Sequence, residues 1–90
     1  MKKGVNFMQI IVYSTTSCPY CKILKNYLIE KNISFTEKLV DQDDSAREEM
    51  SQISGGFLGV PFTLVIKDDG TRSTIIGFDK SRLDNILGLD

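Results

Sequence analysis

Between Tyr13 and Pro19 the hydrophobic pattern of this chain changes period, and that change dictates most of what it can fold into. Ile10-Ile11-Val12-Tyr13 is a continuous, β-branched apolar run ahead of a Ser/Thr cluster, the pattern of a strand buried on both faces. From Pro19 onward Ile23, Leu24, Tyr27 and Leu28 share one face, while Lys22, Lys25, Asn26 and Glu30 are polar. The pattern predicts an amphipathic helix ending near Asn32, with Pro19 in its first turn, where the missing N–H costs nothing. Cys18 therefore falls at a helix N-terminus.

The rest of the chain alternates in the same way. Residues 33–40 alternate apolar and polar and predict a second strand, which breaks into the polar turn Asp41-Gln42-Asp43-Asp44. Ser45 and Glu48 have the spacing of a capping box, so Ser45 is the expected N-cap of a short helix through Met50 and Ile53 that Gly55-Gly56 closes. Residues 61–66 read as a third strand, Asp69-Gly70 as a tight hairpin turn, and residues 71–76 as the antiparallel partner. Asp79 is the expected cap of a final helix whose Leu83, Ile86 and Leu87 share a face. The order β-α-β-α-β-β-α implies an α/β fold, a mixed four-stranded sheet flanked by three helices. Phe35, Phe57 and Phe62 are assigned to the core.

Ninety residues suit one domain, expected over 1–90. Met8 is a candidate original start, which would make residues 1–7 a dispensable extension. The 11 basic and 12 acidic residues leave a net charge of −1, so no basic excess exists to neutralise a phosphate backbone, and nucleic acid is disfavoured as a partner. No apolar run approaches the roughly 20 residues of a membrane span, and no secretory h-region with a small-residue cleavage site is visible. A cytoplasmic monomer is expected. Two cysteines are too few for the disulfide framework of a small secreted scaffold.

Those two cysteines stand in Cys18-Pro19-Tyr20-Cys21, at the handover from strand to helix. Unpaired N–H groups at a helix start act as about half a positive charge and favour an anion there, so Cys18 is the more readily ionised thiol. Lys22 adds a further source of positive potential. Cys21, three residues on, lies on the same side and close enough to form a disulfide. The chemistry this implies is two-step exchange: Cys18 attacks a substrate disulfide, and Cys21 then attacks Cys18 and frees the reduced substrate. The chain has no His, so no imidazole can serve as base, and no permanently bound cofactor is required.

Other uses of the pair are weaker. A structural zinc site wants four ligands, usually Cys or His, and one chain cannot supply them. A purely structural disulfide closing so short a loop would constrain the unfolded chain little. The competing reading from a different class is a non-catalytic module in which Cys18 ligates a metal or an iron–sulfur cluster between chains.

Three motifs together resemble a known family. Cys-Pro-Tyr-Cys after Ile-Val-Tyr-Ser, Val60-Pro61 opening a later strand, and Gly77-Phe78-Asp79 before the last helix are similar to glutaredoxins and glutaredoxin-like proteins of the thioredoxin fold. The resemblance spans roughly residues 9–88. It implies a cis Val60-Pro61 peptide facing Cys18, with the Val60 backbone pairing with glutathione or a substrate segment. It also implies that Gly77 to Asp79 meet the α-carboxylate end of glutathione, while Tyr20 contacts the substrate beside the sulfurs. Local physics alone reads Pro61 as a strand-initiating proline, Gly77 to Asp79 as a turn and helix cap, and Tyr20 as an exposed aromatic. Thr15 stands where glutathione-dependent members usually carry Lys, Gly59 precedes Val60-Pro61 in place of Thr, and Ile76-Gly77-Phe78-Asp79 replaces the usual Gly-Gly turn. These departures look like the glutaredoxin-like proteins that serve ribonucleotide reductase and are recharged by thioredoxin reductase. The implied partners are protein disulfides, with glutathione, another small thiol or a thioredoxin reductase as electron donor.

Overall fold

The computed structural model describes residues 8–56 and 59–88, so the readings made for residues 1–7 and for Phe57 lie outside the described residues. Its elements follow the expected order: β1 (Gln9–Ser14), α1 (Pro19–Glu30), β2 (Thr36–Leu39), α2 (Asp44–Ser54), β3 (Phe62–Ile66), β4 (Arg72–Ile76) and α3 (Lys80–Leu87). They form one sheet in the order β2-β1-β3-β4, so β1 is interior, as its unbroken apolar run requires. β1 pairs parallel with β2, with Val12 opposite Glu37, and antiparallel with β3, with Val12 opposite Thr63. β3 and β4 close the antiparallel half as a hairpin.

Alternation along the strands divides the core between the two faces of the sheet. Ile10, Val12, Val65 and Ile75 meet Leu24 and Leu28 of α1 and Leu83 of α3 on one face, with Ile86, Leu87 and Phe35 packed at the margin. Ile11, Tyr13, Phe62 and Leu64 meet Met50 of α2 on the other. Each fully buried Leu or Val contributes about 1.5–3 kcal/mol relative to exposure, so these two clusters outweigh any surface pair.

Four boundaries differ from the sequence reading. α1 ends at Glu30 because Asn32 adopts φ 60° and the Ile33 amide folds back to the Leu28 carbonyl at 2.9 Å, a left-handed helix stop. Ile33 is thereby part of the helix terminus, and β2 shortens to four residues. The cap of α2 is Asp43, not Ser45: its carboxylate accepts from the amides of Ser45 and Ala46, which places Ser45 inside the first turn. The hairpin loop is Asp68-Asp69-Gly70, not a two-residue turn, with the Gly70 amide bonded to the Lys67 carbonyl and Gly70 at φ 90°.

Candidate active site

Cys18 is the N-cap of α1 in extended geometry and Pro19 occupies its first turn. The Cys21 amide, an end group with no carbonyl four residues back inside the helix, donates to Cys18 Sγ at 3.1 Å. The two cysteines are joined in a disulfide with their Cα atoms 5.2 Å apart. Cys18 is partly exposed, whereas Cys21 retains 1% of its surface. Of the pair, Cys18 alone is open to a partner disulfide.

Beside the disulfide lies a groove of about 570 Å³. Tyr20 forms one side, Val60 and Pro61 the floor, and residues 76–81 the opposite wall. All six residues named as substrate contacts, Tyr20, Val60, Pro61, Gly77, Phe78 and Asp79, therefore face one cavity, and the cysteines sit at its Tyr20 end without lining it. The Val60-Pro61 peptide is cis, as the resemblance implied. The Gly77 amide donates to the Pro61 carbonyl at 2.8 Å, so floor and wall are tied together. Gly77 has φ 72°, a conformation that side-chain-bearing residues rarely adopt. Asp79 caps α3 by accepting from the Arg82 amide at 3.1 Å, so the capping reading of this turn holds alongside its place in the groove. Tyr20 and Ile76, 64% and 61% exposed, place two large side chains in water at the groove's rim.

Several residues that the sequence reading did not single out fix the surroundings. Thr16, in the loop before Cys18, donates its hydroxyl to Asp41 Oδ2 at 2.8 Å and its amide to the same oxygen at 3.2 Å. These bonds, the hydroxyl first, hold the Asp41 carboxyl below the usual range. Lys25 and buried Ser14 both donate to Glu37 Oε2 at 2.6 Å, which links α1, β1 and β2; Lys25 and then Ser14 lower the Glu37 pKa. On the opposite face Glu49 accepts from Tyr13 and from Lys38, the latter at 2.7 Å, and burial followed by the Glu49 contact pushes the Tyr13 phenol well up. Tyr27 bonds to Asp84 between α1 and α3. No periodicity marks these pairs, because each joins residues at least ten apart in sequence. Thr63 Oγ1 is buried and has no hydrogen-bond partner among the described residues.

The arrangement pairs an accessible sulfur at a helix N-terminus with a buried one a turn inside, next to an open groove. It can hold a dithiol, a disulfide, or a mixed disulfide with a partner in the groove. Among the described residues no helix is long and apolar enough to cross a membrane.

Known proteins share both sequence and fold. A family model described as Glutaredoxin matches residues 10–69. An uncharacterised glutaredoxin-like 8.6 kDa protein of the rubredoxin operon of Clostridium pasteurianum is 44% identical over 78 residues, 87% of this chain and 96% of that one. A glutaredoxin-like protein NrdH of Lactococcus lactis subsp. cremoris is 34% identical over 74 residues, 82% of this chain and 93% of that one. The crystal structure of a thioredoxin-like protein superposes with a TM-score of 0.73 at 28% identity, covering 87% of this chain and 97% of that chain.

Proposed function

The chain belongs to the glutaredoxin family and is a thiol–disulfide oxidoreductase; on that premise we propose that Cys18 is its nucleophile and Cys21 its resolving thiol. The observation that carries the assignment is the Cys21 amide aimed at Cys18 Sγ, at a helix start beside the groove. In the reduced protein that amide and the helix dipole stabilise the Cys18 thiolate without any side-chain base. The thiolate attacks a substrate disulfide, forms a new S–S bond and expels one substrate thiolate, which takes up a proton. Cys21 loses its proton, attacks Cys18 Sγ and expels the second thiolate. Two electrons pass to the substrate, and the cysteine pair is left oxidised. A donor then returns two electrons and two protons.

The substrate is a protein disulfide whose flanking chain occupies the groove. Val60 offers its backbone, Pro61 the floor, Tyr20 an aromatic side, and Gly77, Phe78 and Asp79 the far wall. The reading places the protein in a reducing cytoplasm as a monomeric carrier with no resident cofactor. For the donor we favour a thioredoxin-reductase-type protein over glutathione as co-substrate. Thr15 offers no cation to a glutathione carboxylate, and the next residue anchors the Asp41 carboxylate. A free anionic thiol thus meets a carboxylate where a lysine would attract it.

The test is re-reduction of the oxidised protein by NADPH through thioredoxin reductase and, in parallel, through glutathione with its reductase. Faster recharging by thioredoxin reductase is expected. Preference for glutathione would overturn the donor assignment, and recharging by neither would overturn both in favour of another thiol.

A further inference from the structure

The two sides of the groove belong to different elements: Tyr20 stands on α1, and residues 76–81 run from β4 into α3. Tyr27 joins them. It lies seven residues beyond Tyr20, two turns along the same side of α1. Its ring meets Phe78 edge-on, with centroids 5.7 Å apart and planes at 71°, and its hydroxyl bonds to Asp84 of α3. Lys80 donates to the other Asp84 oxygen at 2.8 Å and stands 5.7 Å from the Tyr27 ring centroid, while Lys31 stands 5.6 Å from it. Phe78 and Lys80 themselves line the groove; Tyr27 does not.

We propose that Tyr27 is a positioning residue that sets the spacing between the α1 and α3 sides of the groove, and so governs how tightly a protein disulfide is held. This rests on the reading of the groove as the substrate site. The far wall is seated on buried Leu83 and on Arg82, which donates to the Thr74 carbonyl at 3.1 and 3.2 Å, and two further ties join it to the rest of the groove. At its start the Gly77 amide is pinned to the Pro61 carbonyl, and further along the Tyr27 ring and hydroxyl hold Phe78 and Asp84. Removing the hydroxyl keeps the ring on Phe78 but releases Asp84 from α1, so the α3 side, still seated on Leu83 and Arg82, is free to shift relative to Tyr20. A substrate large enough to touch both walls feels that change; one that touches only the sulfurs does not. Interactions made equally in ground and transition states appear in KM and leave kcat in place.

The experiment compares the full-length protein with its Tyr27→Phe and Tyr27→Leu variants, using dithiothreitol as electron source. Insulin serves as the protein disulfide and hydroxyethyl disulfide as the small one. Tyr27→Phe is expected to raise the insulin KM about threefold or more, Tyr27→Leu further still, with kcat and the hydroxyethyl disulfide kinetics within about twofold of the parent. An insulin KM unchanged in both variants, or equal losses on both substrates, would overturn the proposal. Failure of the parent protein to reduce either disulfide would instead strike the oxidoreductase reading beneath it.

Discussion

The Cys21 amide donates to Cys18 Sγ across 3.1 Å, so on the proposed roles the backbone of the resolving cysteine is already aimed at the sulfur that attacks. A free thiol at that cap has its anion favoured by the helix start, while Cys21, buried to 1% exposure, has no such help. Reactivity and accessibility therefore point to the same sulfur. In the reduced protein, iodoacetamide is expected to label Cys18 before Cys21. Peptide mapping after partial labelling checks this; preferential labelling of Cys21 would count against it.

Loop placement before Cys18 depends on Thr16 and Asp41. Asp41→Ala frees that loop without emptying the core. Because misplacing a reacting group by an ångström can cost about 100-fold, a loss on the order of tenfold in disulfide reduction is expected. The loss should be similar for small and protein substrates, unlike the effect of Tyr27, since here the sulfur itself is misplaced. Steady-state kinetics with the two disulfides separate the cases.

Charged side chains give the fold a defined pH window. Lys25 and Ser14 lower the pKa of Glu37, and Lys38 and Tyr13 lower that of Glu49, both from an ordinary value of 4.5. A carboxyl depressed in the folded state stabilises it above the unfolded value, and that contribution is lost as pH falls through the folded one. The thermal midpoint is thus expected to hold above about pH 4.5 and to fall below it, with a shallower fall in Glu37→Gln. Tyr13 acts at the other end. Burial, then the bond to Glu49, raise its pKa from 10.0, so stability is full below pH 10 and declines as pH climbs towards the folded value. Melting curves from pH 3 to 11 test both limbs; a flat acid limb would contradict the Glu37 and Glu49 assignment.

Thr63 carries its hydroxyl into the core between Val12 and Ile75 without a partner among the described residues. An unpaired buried hydroxyl costs about 1–3 kcal/mol, so Thr63→Val, nearly equal in shape, is expected to stabilise the protein by about 1 kcal/mol or more. Denaturant unfolding of the reduced protein measures it, and a destabilised variant would reveal a partner for the hydroxyl.

What could be read from the sequence was local. The change of period at Pro19, the cap at Asp79 and the hairpin strands each depend on neighbours in the chain, and each stands where the pattern put it within a few residues. The cap of α2 misled because Asp43, Asp44 and Ser45 are all good caps in a row, and only the end of β2 decides among them. The cysteine pair announced itself by spacing. The groove beside it, with its cis peptide at Pro61, came through the resemblance, since local physics favours trans for any single X–Pro bond. Tyr27 with Asp84 and Ser14 with Glu37 lie 57 and 23 residues apart, and no periodicity signals that such side chains meet.

The most direct test of the mechanism is to mix reduced Cys21→Ser protein with an excess of insulin and read the product by mass spectrometry after tryptic digestion. A stable mixed disulfide joining insulin to Cys18 is expected, with no such adduct and no reduction in Cys18→Ser. Disulfide reduction by Cys18→Ser at the parent rate would contradict the account.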